Sequence, residues 1–383
     1  GKVPGLSQPC CSHCTDFLPF NPRHSLPIYA CLHTSAYPSA SLYPGCLTPL
    51  FPKSFQKCVY FPLGTRAMLL TLRMKIENGL PCSQLPEAPP QTGLQFTVAT
   101  EEDFDDIMAM SKDIYGGLDY LPSRYQAWLQ ESNRTVILAR KQGKVERGKG
   151  VAGVLLRFCS QLVKSKYPDV KVSRLTRDDQ LGPKDFQKYR LITKQGILLV
   201  RFHAEDLKLR LADLGPNITI SGESLSTTNI PVRLEPAEVH QLFLSDVLMQ
   251  GVLPNATIVQ DWQPFKPLSS NMDILLKKDI DWMVDDARRP TMASMCTFPF
   301  HVPIGDDWYY LNIDMFGKDL TLAIQQLLCH LRCHTGTLKG YVMCQVFLEP
   351  ALWKPMADFF RETLKVELVK EYTEQCVVES DVV

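Results

Sequence analysis

The sequence predicts an α/β protein in which one strand-and-helix plan is written twice, and three observations carry that expectation. From about residue 94 to 202, short apolar stretches of strand character alternate with stretches of 3.6-residue period, in the order β-α-α-β, loop, α-β-α-β. The same texture resumes between about residues 230 and 379. A loop bearing glycines and basic residues opens the most regular amphipathic helix of the first half. At 383 residues, against a usual scale of ~150 residues per domain, two folded units plus an extra segment are expected.

Lys+Arg and Asp+Glu balance at 41 each and 45% of the residues are apolar, an ordinary soluble composition with no field for nucleic acid or a membrane surface. No run of about 18 apolar residues occurs, so no membrane span is expected. The average hides a division. Before Met74 there is a single acidic residue, Asp16, while Pro and Cys crowd this end; Met74-Lys75-Ile76-Glu77 restores normal acidity. Residues 1–93 are therefore expected to be a disordered or non-native lead-in, with the part before Met74 taking no part in the fold. Cys11, Cys14, Cys31 and His33 have the ingredients of a zinc site, but no second C-x-x-C or H-x3-H closes a tetrahedron. Beyond residue 90 the cysteines are scattered in apolar surroundings, which suits free thiols in a reducing compartment and makes the cytoplasm the expected location. Cys329, His330, Cys333 and His334 on one predicted helix read as a packed face rather than a ligand cluster, so no metal is expected.

Phe96-Thr97-Val98-Ala99 alternates as a strand. Thr100 then caps a helix running to about Asp113, with Asp103 as the reciprocal partner. Tyr115-Gly116-Gly117 breaks it, and Pro122-Ser123 starts a second helix with Tyr125, Trp128 and Leu129 on one side. A strand over 135–140 ends in the turn Lys141-Gln142-Gly143-Lys144. Val154, Leu155, Phe158, Leu162 and Val163 mark the next helix, which Pro168 ends; a strand covers 170–176. Pro183 opens a helix, and Gly196 precedes an apolar strand over 197–202. Gly215 to Thr228 reads as a linker. Beyond it come a strand at 230–234, a helix at 236–249, strands at 257–262, 282–285, 293–298 and 308–314, a helix at 320–331, a strand at 340–347, a helix at 350–364, and a strand at 366–372 that continues at 376–379.

The chemistry concentrates in Arg147, Gly148, Lys149, Gly150, Val151 and Ala152. A helix mouth gathers unpaired N–H groups and the positive helix end at one point; two glycines let a diphosphate approach the backbone, and Arg147 and Lys149 add charge. The same spacing also serves as a plain structural cap. A nucleotide site of the G-x4-G-K-[ST] kind is not written around it.

Arg-x-x-Gly-x-Ala followed by helix, strand, helix and strand resembles the acetyl-CoA core of the GNAT acetyltransferases. The longer stretches 114–122, 146–153, 175–183 and 189–196, with Asp261-Trp262-Gln263-Pro264, Tyr310-Leu311-Asn312-Ile313-Asp314 and Tyr341-Val342-Met343-Cys344-Gln345, are similar to the vertebrate histidine N-acetyltransferase family over roughly residues 94–380. The resemblance implies an α/β (α+β) fold, with a GNAT acetyltransferase domain of mixed central sheet at 94–214 and a second, degenerate GNAT-like lobe at 229–383. It implies transfer of acetyl from acetyl-CoA, a co-substrate, to the α-amino group of L-histidine or a similar small amino acid. Residues 147–152 would bind the cofactor. Tyr115, Asp119 and Tyr120 would lie over the substrate, with Asp119 taking the ammonium, and Arg177, Asp178 and Asp179 beside the crevice.

Two departures from the family pattern appear. Only Lys141 to Glu146 intervene where two strands, one of them the acetyl-binding wall, would need about 12–15 residues. Ile192 stands where many relatives carry a tyrosine general acid, which leaves Tyr189, one turn earlier, as the catalytic candidate. The competing expectation is a catalytically impaired GNAT-like acyl-CoA-binding or regulatory protein. The second lobe has only Phe316-Gly317-Lys318 before its helix and is expected to hold no cofactor.

Overall fold

The computed structural model describes residues 69–72, 93–111, 118–131, 134–145, 151–166, 172–177, 181–215, 217–220, 223–226 and 230–381. In the first half a small sheet comprises β1 (Leu69–Leu72), β2 (Gln95–Val98), β3 (Thr135–Lys141) and β4 (Lys144–Val145), all antiparallel to β3. Thr100 and Asp103 form the expected capping box, Thr100 N–H donating to Asp103 Oδ2 at 2.9 Å, and α1 (Phe104–Ser111) follows. Then comes α2 (Leu121–Gln130). Gln142 and Gly143 both take positive φ in the two-residue turn between β3 and β4. Helix α3 (Val151–Lys166) lays Val154, Leu155, Phe158, Cys159 and Leu162 into the core over this sheet, with Phe158 stacked on Phe96 at 4.2 Å between ring centroids.

Residues 69–72 correct the expectation that everything before Met74 stays outside the fold. Arg140 pairs with both Gln95 and Val145, and Leu138 with both Thr97 and Leu69, so β1 and β4 lie along the same edge of β3. Because β4 is only two residues long, it leaves most of that edge open, and open strand edges recruit another strand.

The large sheet runs β5 (Val172–Arg177), β17 (Thr373–Asp381), β6 (Arg190–His203), β15 (Tyr341–Leu348), β14 (Trp308–Gly317), β13 (Met292–His301), β12 (Ile280–Val284) and β9 (Val232–Arg233), with β16 (Glu367–Leu368) also against β6. The last strand of the chain is thus inserted between two strands of the first half. Both halves share one mixed sheet, since β14 and β15 are parallel while the other pairs are antiparallel. The β14–β15 crossover is α9 (Leu320–Thr335), whose apolar side is buried among Leu198, Val346 and the helix α5 (Ala204–Asp213). Asp319 caps α9 by accepting from Leu322 N–H at 2.9 Å, so a carboxylate already occupies the helix mouth where a diphosphate would bind.

Several further elements differ from expectation. The helix opened by Pro183 is the single turn α4 (Pro183–Phe186); Arg190 to Lys194 pair with β17, so they are strand rather than helix, and Tyr189 is not helical. The expected linker contains a hairpin, β7 (Asn217–Ile220) with β8 (Glu223–Ser226). The helix over 236–249 breaks into α6 (Pro236–Phe243) and α7 (Asp246–Gly251), because Ser245 restarts it as an N-cap. The strand over 257–262 is a hairpin, β10 (Ile258–Gln260) with β11 (Gln263–Phe265), followed by the unforeseen α8 (Ser269–Leu275). After β15 the chain winds through a 3-10 turn, α10 (Trp353–Asp358) and a π turn. No helix among the described residues is long and apolar enough to cross a membrane.

Candidate active site

A cavity of about 430 Å³ opens where α2 meets the β10–β11 hairpin. Tyr120, Arg124 and Trp128 line it from the first half, and Asp261, Lys278 and Asp279 from the second. Helix α2 is anchored there by Ser123 Oγ donating to the His301 carbonyl and by the Arg124 guanidinium over the Phe300 ring at 4.6 Å. Tyr120 meets Trp128 edge to face at 5.8 Å, giving the cavity an aromatic wall.

Opposite stands a strained turn. Asp261 and Trp262 link β10 to β11 with φ of 47° and 67°, a conformation usually given to Asn-Gly, and neither is glycine. Three contacts hold it. Thr176 Oγ1 on β5 donates to the Trp262 carbonyl at 2.6 Å; the Trp262 indole packs on Phe347 at 5.0 Å; and Asp261 N–H donates to Asp314 Oδ2 at 3.1 Å. The strand that follows the α3 helix is thereby tied directly to the turn that carries Asp261.

The electrostatics are unusual. Loss of hydration raises the Asp261 carboxyl above the ordinary carboxylate range, although Arg124 and Lys278 pull it down. Asp314 is buried and raised well above that range, first by burial and then by the Asp261 charge, against donation from Asp261 N–H and from Asn312 Nδ2 at 2.8 Å. Lys278 Nζ donates to Gln260 Oε1 and, at 3.2 Å, to Gln263 Oε1. A carboxyl of raised affinity for protons in a cleft lined by cations and aromatic rings is a base-and-binding arrangement.

The residues singled out from sequence fall as follows. Tyr120 lines the cavity. Asp119 is buried, accepts Leu121 N–H at 3.1 Å and does not line it. Tyr115, Asp178, Asp179 and residues 147–150 lie outside the described residues. Val151 begins α3 and is buried; Ala152 is its second residue. Arg177 is buried and paired with Asp185. Tyr189 is buried in the core of the first half with Leu175, Cys376 and Val378. Sequence reasoning missed Arg124, Asp261 and Lys278 as site residues. Asp261-Trp262 was visible only as part of a family-like stretch.

A family model described as "Histidine N-acetyltransferase, C-terminal" matches residues 227–349. A "Histidine N-acetyltransferase" of Scomber australasicus is 71% identical over 337 residues, covering 81% of this chain and 100% of that protein. One of the same name from Xenopus tropicalis is 46% identical over 335 residues, with the same shares. The chain belongs to the histidine N-acetyltransferase family.

Among solved structures it is similar to a "Tandem GNAT protein from the clavulanic acid biosynthesis pathway", at 13% identity, TM-score 0.41, and 76% and 99% of the two chains. The length of the family match is informative. Its 81% share of 383 residues is about 310, against 337 aligned with the Scomber protein, so that relative carries about 27 residues that this histidine N-acetyltransferase family member lacks. Two strands and a turn would fit in that length. Among the described residues, no strand pairs with the edge of β5 opposite β17.

Proposed function

We propose that this chain moves the acetyl group of acetyl-CoA onto the α-amino group of L-histidine, and that the cavity between α2 and the β10–β11 turn holds the amino acid. The observation that carries the reading is the cavity lining. It sets a proton acceptor (Asp261), cations (Arg124 and Lys278) and aromatic faces (Tyr120 and Trp128) around one space, and these match the ammonium, the carboxylate and the imidazole of histidine. Asp261 takes a proton from the ammonium. The freed amine attacks the thioester carbon, the C–S bond breaks, and the CoA thiolate takes up a proton. Arg124 and Lys278 fix the carboxylate so that the amine faces Asp261.

The acetyl-CoA diphosphate is assigned to Arg147, Gly148, Lys149, Gly150, Val151 and Ala152. Support comes from α3, whose 16 residues begin at Val151 and give a full helix dipole. Asp119, engaged with Leu121 N–H, is assigned to shaping the loop beside Tyr120, and Tyr189, by its burial, to packing. Cys159, Cys296, Cys344 and Cys376 are buried and form no disulfide among the described residues, which favours a reducing, cytoplasmic setting.

A slower enzyme than its relatives is the second part of the reading, favoured by the two-residue β4 and the shortfall of about 27 residues. The strand expected there would supply the N–H that polarises the thioester, and one such donor is worth roughly 2.7–4 kcal/mol. An assay of CoA thiol release with L-histidine as acceptor tests both parts. Release with L-histidine, and none with N-acetylated histidine, is expected; release independent of the amino acid would reject the reading.

A further inference from the structure

We propose that Cys296, His330, His334 and Asp281 form a structural zinc site that pins the last turns of α9 to strands β12 and β13. His330 and His334 stand one turn apart on α9, Cys296 comes from β13, and all three are buried. Cys296 Sγ and one ring nitrogen from each histidine lie within 4.8 Å of one another. Asp281 on β12 pairs directly across the ladder from Cys296, and its Oδ2 lies 2.6 Å from His334 Nε2. The chain therefore brings a thiol, two imidazoles and a carboxylate to one buried place from three separate elements. Viewed along the helix alone, Cys329, His330, Cys333 and His334 give no closed set, which is why the sequence points to simple packing.

Two further details favour a ligand. His330 Nε2 sits 2.8 Å from Ser294 Oγ, while His330 Nδ1 is buried with no hydrogen-bond partner, an expense that folded proteins rarely leave uncompensated. A metal-binding histidine commonly gives its other ring nitrogen to a neighbouring oxygen, and Ser294 is placed to take that role. Arg233 Nη2 lies 3.1 Å from the same oxygen, Asp281 Oδ2, and pairs with that carboxylate. Thiolate and imidazole donors select zinc over the hard cations, and four protein ligands close the coordination sphere, so the site is structural rather than catalytic. Binding releases the Cys296 proton to solvent.

The test uses the full chain, purified without a histidine tag, chelator or added metal, with zinc measured by elemental mass spectrometry. About one zinc per chain is expected, falling roughly tenfold or more in Cys296→Ser and in His330→Gln whose circular dichroism matches the parent. Cobalt(II) replacement in the parent chain, which needs no variant, should give a thiolate-to-cobalt charge-transfer band that Cys296→Ser lacks. Folded parent chain with less than about 0.1 zinc even after incubation with zinc chloride would overturn the proposal. An unchanged zinc content or cobalt spectrum in folded Cys296→Ser would overturn it as well. Neither readout depends on acetyl transfer.

Discussion

Asp261 bears two burdens at once, a left-handed backbone and a poorly hydrated carboxyl, and both point to use rather than to stability. Replacing it with Asn keeps the size and removes the base, so kcat should fall by about 10²–10⁴. The raised carboxyl also fixes a pH signature. The rate should climb as pH rises through the shifted value and then level off, and the Asp261→Asn variant should lose that limb; an unchanged pH profile would remove Asp261 from the chemistry. Arg124→Ala should instead raise the KM for histidine by roughly 10–100-fold, the value of a charged hydrogen bond, while leaving the KM for acetyl-CoA unchanged. Tyr120, which lines the cavity, could be singled out from sequence because the family resemblance lays the loop between the first two helices over the substrate. Asp261 could not, since its importance arises from a turn that long-range contacts with Thr176, Asp314 and Phe347 hold in place.

Local elements were readable wherever local chemistry decides them. The Thr100–Asp103 capping box, the β3–β4 turn and the buried stripe of α3 all follow from spacing alone. The stretch 190–194 was misread because its strand form is imposed by Cys376, Val377, Val378 and Glu379 at the far end of the chain, and pairing partners override propensity. The hairpin at 217–226 was hidden by its Gly, Ser and Thr content. Ending the chain after Tyr372 should therefore strip β17 from between β5 and β6 and leave no soluble, cooperatively melting protein; a truncated chain that melts normally would contradict the shared sheet. Trp262→Ala, which empties the wedge against Phe347 and Ile197, should cost about 3–5 kcal/mol by denaturant titration. Gly150→Val should weaken CoA binding in calorimetry by crowding the diphosphate, and equal affinity would dissociate the loop from the cofactor.

At the level of the whole molecule, the interleaving of β17 with β5 and β6 means that the two halves stand or fall together, and a charged pair at that seam sets part of the acid limit. Burial alone would raise the Glu379 carboxyl, but Arg174, 2.8 Å away, and Arg190 hold it below its ordinary value. A depressed carboxyl stabilises the fold above its unfolded value, about 4.3, and that contribution is lost as pH falls through the folded value. Melting temperature should thus drop below about pH 4, with a shallower drop in Glu379→Gln. The repeated plan of the sequence announced two α/β halves, while nothing in it announced that the end of the chain completes the beginning. The central claim concerns acetyl transfer, and a paired assay tests it most directly. L-histidine and acetyl-CoA are supplied to this chain and to a restored version, in which about 27 residues are inserted at the proposed position between Val145 and Glu146, and thiol release is followed. The account predicts histidine-dependent release by the restored version, with this chain slower by about 10²–10³. No histidine-dependent release from the restored version would contradict the function, and equal turnover by the two would contradict the missing wall.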